Sequence, residues 1–462
     1  MIKQLLFLLV ACTSYFAKSQ QVLSEEVFKE IMLRNHPLAK QADLIPQMGQ
    51  STLLKAKGGF DPKLNFGNEQ KYYNGYQYYS MMNTGLKVPT WYGIEVKTGF
   101  DSNRGTYLNP EASLPDGGLW YGGISMNLGQ GLIIDQRRAD LFKARKFNES
   151  TTYEKIIQLN ELVYKGGYTY WDWFFSFHAQ QILKEALEAA NQRYNAIKRT
   201  AELGDRPQID VVEAGIQVQN RTALLKEYEK EYMVSSSELG VYLWNEKNEP
   251  LEFAEATIPK SKDSIFTSIP QIDDKQLDES LENHPYLKVA DFKIEMLGID
   301  QRLKKEMLKP QLNLQYNLLN EPVNYNPFNQ LSINNYKWGV NFEMPLFLRK
   351  ERGDLAMGTL KLQEAELNRD NKKAELKNKI QSALLEWRNS VQQLEIYAQS
   401  VQDTKKLLDA ERDLFVNGES SLFLINAREM SYIQACLKYL ELQTKNKQVA
   451  LSYNYYAAKL VQ

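Results

Sequence analysis

The chain has 462 residues, with 56 lysines and arginines, 57 aspartates and glutamates and three histidines, which gives a formal net charge of -1. This balance lacks the concentrated basic footprint of nucleic-acid-binding proteins, so we expect no nucleic-acid partner. The two cysteines, Cys12 and Cys436, argue against a structural disulfide because Cys12 lies in an apolar N-terminal stretch.

The N-terminus has the features of a secretory signal, since Lys3 precedes an apolar run from Leu5 to Ala11. We predict residues 1–19 as the signal peptide. Two processing routes are compatible with it: acylation of Cys12 after a lipoprotein-like box, or ordinary cleavage near Ala17–Ser19. No later segment has the roughly 20 consecutive apolar residues of a membrane-spanning helix. If the exported chain crosses a bilayer, we expect it to do so as strands.

Comparing the chain with itself predicts an internal two-fold repeat. Asn35–Pro37 recurs as Asn283–Pro285 and Pro62–Asn65 recurs as Pro310–Asn313 in part, both displaced by 248 positions. Later matches are displaced by 214 positions, which leaves 34 extra residues in the first copy. These later matches pair Arg138–Leu141 with Arg352–Leu355, Trp173 with Trp387, and Gly204 with Gly418.

Each copy is predicted to contain a helix, a strand region and a long helical hairpin. The first copy spans residues 20–244, with strands at about 62–128 and a hairpin at about 132–244. A polar linker, residues 245–275, joins it to the second copy, 276–462, with strands at about 310–345 and a hairpin at about 350–460. The predicted fold is therefore mixed α and β, and mostly α.

The strands are predicted from alternation with a period of two, which places one set of side chains on each face of a sheet. Leu312, Leu314 and Tyr316 alternate with Asn313 and Gln315. Such a pattern is compatible with a soluble antiparallel sheet. The signal peptide and the tyrosines and tryptophans at strand ends favour a membrane β-barrel with apolar residues facing lipid.

The hairpins are predicted from long stretches without helix breakers. Residues 132–206 contain no proline, and residues 359–417 contain neither glycine nor proline. About 65 helical residues make a rod of roughly 100 Å, and the apolar spacing from Leu376 to Val401 approaches that of a coiled coil. Gly204 and Gly418 mark the reversals, because glycine commonly follows a helix end.

The order and duplication of these motifs resemble the TolC family of outer-membrane efflux proteins, over nearly the whole mature chain. The turns Leu203–Ala214 and Val416–Ala427 carry the resemblance together with the Asn-His-Pro starts. The resemblance implies a homotrimer whose protomers each give four strands to a twelve-stranded barrel in outer-membrane lipid. A trimeric α-helical barrel would continue it into the periplasm. The longer first strand region leaves the strand count open: residues 72–118 either lengthen strands or form extracellular loops.

The resemblance also implies partners and a gate. A periplasmic adaptor and an inner-membrane pump would dock at the periplasmic tips and open them. Asp210 matches an aspartate of the family's first turn, whereas Phe415 and Ser420 replace a tyrosine and an arginine of the second. Leu424 and Ala427 stand where some members have an acidic ring. The candidate tip residues are Gly204, Asp205, Arg206, Asp210, Phe415, Gly418, Glu419, Ser420 and Leu424.

Other candidate residues have structural interpretations. Asp210 could instead cap the second helix of its hairpin. His36 and His284 fit helix starts, His178 fits an aromatic packing seam, and the aromatic cluster between Tyr168 and Phe177 fits helix packing. No catalytic motif is present, so we expect no enzyme, no cofactor and no metal site. The predicted function is a passive outer-membrane conduit for efflux or type I secretion, and the alternative is a periplasmic coiled-coil adaptor.

Overall fold

The computed structural model describes residues 21–251, 257–261, 274–321 and 332–461. The predicted signal peptide and Cys12 lie outside these residues. The chain is mostly helical (66%) with some strands, as the sequence predicts. Among the described residues, no helix combines the length and the apolar character needed to cross a membrane.

The described chain divides into two compact units. The sheet unit comprises Asp43–Ile156 and Leu281–Glu375. The hairpin unit comprises the described parts of Met1–Ala42, Ile157–Ser280 and Leu376–Gln462.

Eight described helices account for most of the chain. The two longest, α3 and α7, have 67 and 68 residues, and the helices that follow them, α4 and α8, have 33 and 35. The bounds are α1 Glu25–Asn35, α2 Pro37–Lys57, α3 Gln136–Glu202, α4 Gln208–Gly240, α5 Asp274–Glu282, α6 Pro285–Glu306, α7 Arg349–Val416 and α8 Leu422–Tyr456.

Both Asn-His-Pro motifs start helices, α2 at Pro37 and α6 at Pro285, where the missing proline donor is not needed. The Nδ1 atom of His36 accepts a hydrogen bond from the backbone amide of Leu38 at 3.1 Å. His284 accepts in the same way from the amide of Tyr286 at 3.3 Å. The predicted helix-start role of both histidines is confirmed.

The main sheet has six described strands in the order β2-β3-β4-β5-β7-β8, and every neighbouring pair is antiparallel. Four strands come from the first strand region and two from the second. Residues 72–118, which could have formed extracellular loops, thus contain all of β3 and β4, and the described sheet has six strands rather than four. The bounds are β2 Lys63–Tyr73, β3 Tyr76–Pro89, β4 Ile94–Arg104, β5 Leu119–Asn127, β7 Gln311–Asn320 and β8 Tyr336–Glu343.

A second, two-stranded sheet lies in the hairpin unit, where β1 (Gln21–Leu23) pairs in parallel with β6 (Thr257–Pro259). The strand β6 falls within the stretch that the sequence predicts as a linker. Three residues are too few to show alternation, so this strand has no sequence signature.

The aromatic cluster of α3 forms a core of the hairpin unit. Tyr170, Trp171, Trp173 and Phe174 are buried there. His178 packs on Phe174 with ring centroids 4.4 Å apart. The cluster is therefore a helix-packing feature, as predicted.

Candidate functional site

The six-stranded sheet has two chemically different faces. Residues directly opposite one another share a face, and one register row runs Lys63, Lys87, Lys97, Gly123, Asn317, Lys337. The same face carries polar side chains at other rows, such as Asn65, Glu95, Asn313 and Asn341. We call it the polar face.

The opposite face is largely apolar and open to its surroundings. Phe66 on β2 is 68% exposed, and Trp338 on β8 is 62% exposed. Isolated exposed apolar residues are ordinary, but a contiguous apolar surface across a whole sheet is not, and it marks contact with another apolar phase or partner. We call this the apolar face; its large exposed members include Leu64, Phe66, Val96, Ile124, Tyr316, Trp338, Val340 and Phe342.

Glycines on the polar face make room for one aromatic ring. A Cβ atom built at Gly85 would lie 2.7 Å from the hydroxyl of Tyr121, and one at Gly99 would lie 2.5 Å from it. Tyr121 therefore lies flat across two neighbouring strands. Strand glycines of this kind mark close approach by another group.

The turn between β3 and β4 lies at the end of the sheet at which α3 begins, and side-chain contacts hold it in place. Trp91 stacks on Phe60 with centroids 4.4 Å apart and an interplanar angle of 11°. Glu95 forms an ion pair with Arg137 of α3 at 2.9 Å. These contacts make the added β-hairpin an integral part of the sheet unit rather than a loose insertion.

In the reversal between α3 and α4, Gly204 adopts a φ of +86° just after α3 ends at Glu202. Arg206 forms an ion pair with Asp210 at 3.4 Å. The residue before α4 is Pro207, which gives no side-chain cap, and Asp210 lies in the first helical turn. Asp210 is therefore not the N-cap residue; its carboxylate is held by Arg206.

The second reversal has Gly418 at a φ of +79°. The hydroxyl of Ser420 donates a hydrogen bond to the Oε1 atom of Glu411. The adjacent Ser421 caps α8 by accepting from the amide of Leu424 at 3.3 Å. Ser420 thus makes a local contact with Glu411 at the position where the family resemblance implies an arginine.

The two reversals contact each other directly. The guanidinium carbon of Arg206 lies 4.4 Å from the ring centroid of Phe415. Below this contact, apolar side chains from all four hairpin helices pack together: Ile197, Ala214, Leu408, Leu422 and Ile425 are buried, and Tyr194, Val211, Phe415 and Tyr432 pack against them. Asp205, Glu419 and Leu424 are exposed and are not drawn into this cluster.

A buried ionic cluster beside the tips was not predicted from the sequence. Arg193 forms a two-pronged pair with Glu429, at 2.9 and 2.7 Å. Arg221 also binds Glu429, and Arg412 lies 3.4 Å from it. Since these residues come from α3, α4, α7 and α8, one carboxylate connects all four helices. Their sequence separations, 236 residues for Arg193 and Glu429, leave no local signal.

The ionisation of this cluster is set by two opposing effects. Burial raises the pKa of Glu429, but the hydrogen bonds and charges of Arg193 and Arg221 outweigh it and hold the pKa below its ordinary value of 4.5. Burial lowers the pKa of Arg221. Glu429 is therefore the anion that makes the burial of these arginines tolerable.

Comparisons with known proteins found a family that matches part of the sequence and solved structures that share the fold. Residues 276–452 match the family of outer membrane efflux proteins. No curated protein matches the chain in sequence.

Solved outer-membrane channels share the fold at low sequence identity. The Campylobacter jejuni CmeC outer membrane channel is 13% identical, with a TM-score of 0.67, covering 95% of this chain and 86% of that one. The open state of the Neisseria gonorrhoeae MtrE outer membrane channel is 13% identical, with a TM-score of 0.68 and coverages of 94% and 88%. The Vibrio cholerae outer membrane protein VceC is 13% identical, with a TM-score of 0.65 and coverages of 94% and 96%. This chain resembles the TolC-like outer-membrane efflux channels, in sequence over residues 276–452 and in fold over nearly its whole length.

Proposed function

We propose that the chain is one protomer of a trimeric outer-membrane channel in a tripartite efflux or type I secretion system. It provides a passive route across the outer membrane and the periplasm, so no bond is made or broken in it and it needs no cofactor. Energy comes from an inner-membrane pump.

The observation that carries this proposal is the division of the sheet into an exposed apolar face and a polar face. An antiparallel sheet with lipid on one side and a water-filled lumen on the other has this pattern. The edge strands have 11 residues in β2 and 8 in β8, close to the roughly 9–11 residues of a transmembrane strand.

The helical tips are the proposed gate. Arg206 is held between Asp210 and Phe415, and the apolar cluster below them joins the two hairpins of one protomer. In this chain the tip is held by packing and a cation–π contact, where the family resemblance implies polar locks in the second turn. Gly204 and Gly418 allow the tight reversals, and Asp205, Glu419, Ser420 and Leu424 surround them.

The same tips offer a surface for the periplasmic adaptor. Leu203 is 72% exposed and Val416 is 83% exposed. Exposed apolar side chains at both reversals, rimmed by charged residues such as Asp205 and Glu419, suit an interface with another protein.

A matched pair of lysine substitutions tests the proposal. Val340 lies on the apolar face of β8 and Asn341 on the polar face, one residue apart. In a membrane sheet, Val340→Lys places a charge in lipid at a cost of about 2–4 kcal/mol near the midplane, whereas a lumen-facing lysine is tolerated. We expect Val340→Lys to lower the amount of trimer in outer-membrane fractions, and Asn341→Lys to assemble and conduct in planar bilayers.

The alternative adaptor function gives the opposite result. In a water-soluble sheet, a lysine at exposed Val340 is harmless or improves solubility. A soluble, monomeric wild-type protein without conductance would refute the channel.

A further inference from the structure

The two edges of the main sheet are formed by β2 and β8, which have no further partner strand among the described residues. Unpaired edges of this length expose backbone donors and acceptors and readily pair with another chain. Six antiparallel strands place β2 and β8 in opposite directions. A second copy can therefore add its β2 to this β8 and continue the antiparallel order.

We propose that three copies close this sheet into a ring of eighteen strands through β8–β2 pairing in one defined register. Lys337 of one copy lies opposite Glu69 of the neighbouring copy, and Glu343 lies opposite Lys63. The inference rests on the proposed function, because the trimer and the membrane come from it.

The two faces restrict the register. A one-residue shift would place the apolar side chains of β8 beside the polar side chains of β2, because successive residues alternate between faces. Only shifts of two residues keep the faces continuous. In the proposed register Asn341 lies opposite Asn65, and Val340 lies opposite Phe66 on the apolar side.

The charges select among the remaining registers. On the polar face, β8 carries Lys337 and Glu343, and β2 carries Lys63, Glu69 and Lys71. Only the proposed register places both charged residues of β8 opposite residues of β2 with the opposite charge. A two-residue shift in one direction sets Lys337 opposite Lys71. The shift in the other direction sets Lys337 opposite Gly67 and moves Glu343 past the start of β2 at Lys63, so neither ion pair forms. Like charges directly opposite each other are destabilising in sheets.

The strand tilt that the proposed register implies agrees with that of membrane barrels. The row that starts at Lys63 reaches Lys337 through the observed registers. In the proposed register Lys337 lies opposite Glu69 of the next copy. A row that leaves β2 at Lys63 therefore meets β2 of the next copy six residues further along, at Glu69. The stagger is thus six residues for every six strands. Equal strand number and stagger give a tilt of about 36° in closed barrels, within the roughly 35–45° of membrane barrels.

The lumen of such a ring is wide. Barrel diameter grows roughly linearly with strand number, so eighteen strands give about 1.5 times the diameter of the twelve that the family resemblance implies. The polar face, including Lys97 and Tyr121, then lines an aqueous opening. The added hairpin of β3 and β4 is the part of the chain that widens it.

Disulfide trapping tests the register. In full-length protein carrying Cys436→Ser, Asn65→Cys is combined with Asn341→Cys, and the cells are treated with a mild oxidant. We expect cross-linked dimers and trimers in the outer-membrane fraction on non-reducing gels. The matched controls are Gly67→Cys and Lys63→Cys, each with Asn341→Cys. These pairs are diagonal, at about 7–8 Å, so cross-linking should fall at least about fivefold.

A charge-reversal pair serves as a second measurement that needs no cysteine. Lys337→Glu faces Glu69 and should reduce the fraction of trimer that resists heat in detergent. Glu69→Lys in the same chain should restore it, whereas Glu69→Lys combined with wild-type Lys337 should not. Restoration supports the register, and lack of restoration contradicts it.

The outcomes separate the inference from the proposed function. A conducting trimer that cross-links preferentially at a control pair, or at none of the pairs, overturns the register and leaves the channel intact. A wild-type protein that forms no trimer and does not conduct overturns the proposed function and this inference together.

Discussion

Arg206 and Phe415 belong to different helical hairpins, yet the guanidinium of Arg206 lies 4.4 Å from the ring centroid of Phe415. The same guanidinium is 3.4 Å from the carboxylate of Asp210. One side chain thus connects the first reversal to the second, and the proposed gate depends on it.

Removal of the ring should loosen the tips. A cation–π contact at a partly exposed site contributes about 0.5–1 kcal/mol, which corresponds to a roughly two- to fivefold shift in an equilibrium. We expect Phe415→Ala to raise the open probability in planar bilayers by at least that factor. Leu203→Ala, at an exposed residue of the same tip, is the control. An equal open probability for wild type and Phe415→Ala would refute the role of Phe415.

Loss of the Glu429 charge should destabilise the hairpin unit. Glu429→Gln leaves buried Arg221 and Arg193 without their anion, and breaking a buried pair in this way costs about 3–5 kcal/mol. We expect a lower midpoint of thermal unfolding, followed by circular dichroism. Glu441→Gln on the same helix is the control, since Glu441 forms an exposed pair with Lys438. An unchanged midpoint for Glu429→Gln would contradict the assignment.

The same carboxylate predicts a pH dependence. The pKa of Glu429 is lowered in the folded protein from an ordinary value of 4.5. A depressed carboxylate pKa stabilises the folded state fully above the unfolded value, and this contribution is lost as pH falls through the folded value. The stability difference between wild type and Glu429→Gln should therefore be constant above pH 4.5 and shrink at lower pH. A difference that grows on acidification would show the wrong sign.

Two neighbouring glycines of β5 should respond differently to alanine. A Cβ atom at Gly123 would collide with the backbone oxygen of Tyr316 and lie 2.6 Å from the Cα atom of Asn317, whereas one at Gly122 meets nothing within 4 Å. Overpacking of this kind costs about 1–3 kcal/mol. We expect Gly123→Ala to reduce heat-resistant folded protein on unheated gels and Gly122→Ala to behave like wild type. Similar behaviour of the two variants would refute the close approach of β5 and β7.

The sequence by itself was sufficient where the determinants are local. Proline after Asn-His starts α2 and α6. Gly204 and Gly418, each with a positive φ, lie in the reversals that follow α3 and α7. Alternation with a period of two assigns Leu312 and Asn313 to opposite faces without any knowledge of neighbouring strands. These features depend on residues a few positions apart.

Other features were decided only by the tertiary structure, because they depend on residues far apart in the chain. The sequence of residues 72–118 left open whether they lengthen strands or form extracellular loops. Pairing of β3 with β2 and β4 shows that they build two further strands of the sheet. Asp210 fitted a helix cap in sequence, but Arg206 holds it instead. Glu429 looked like one more carboxylate on a long helix. Its burial against Arg193 and Arg221 arises from the packing of four helices, which no local pattern encodes.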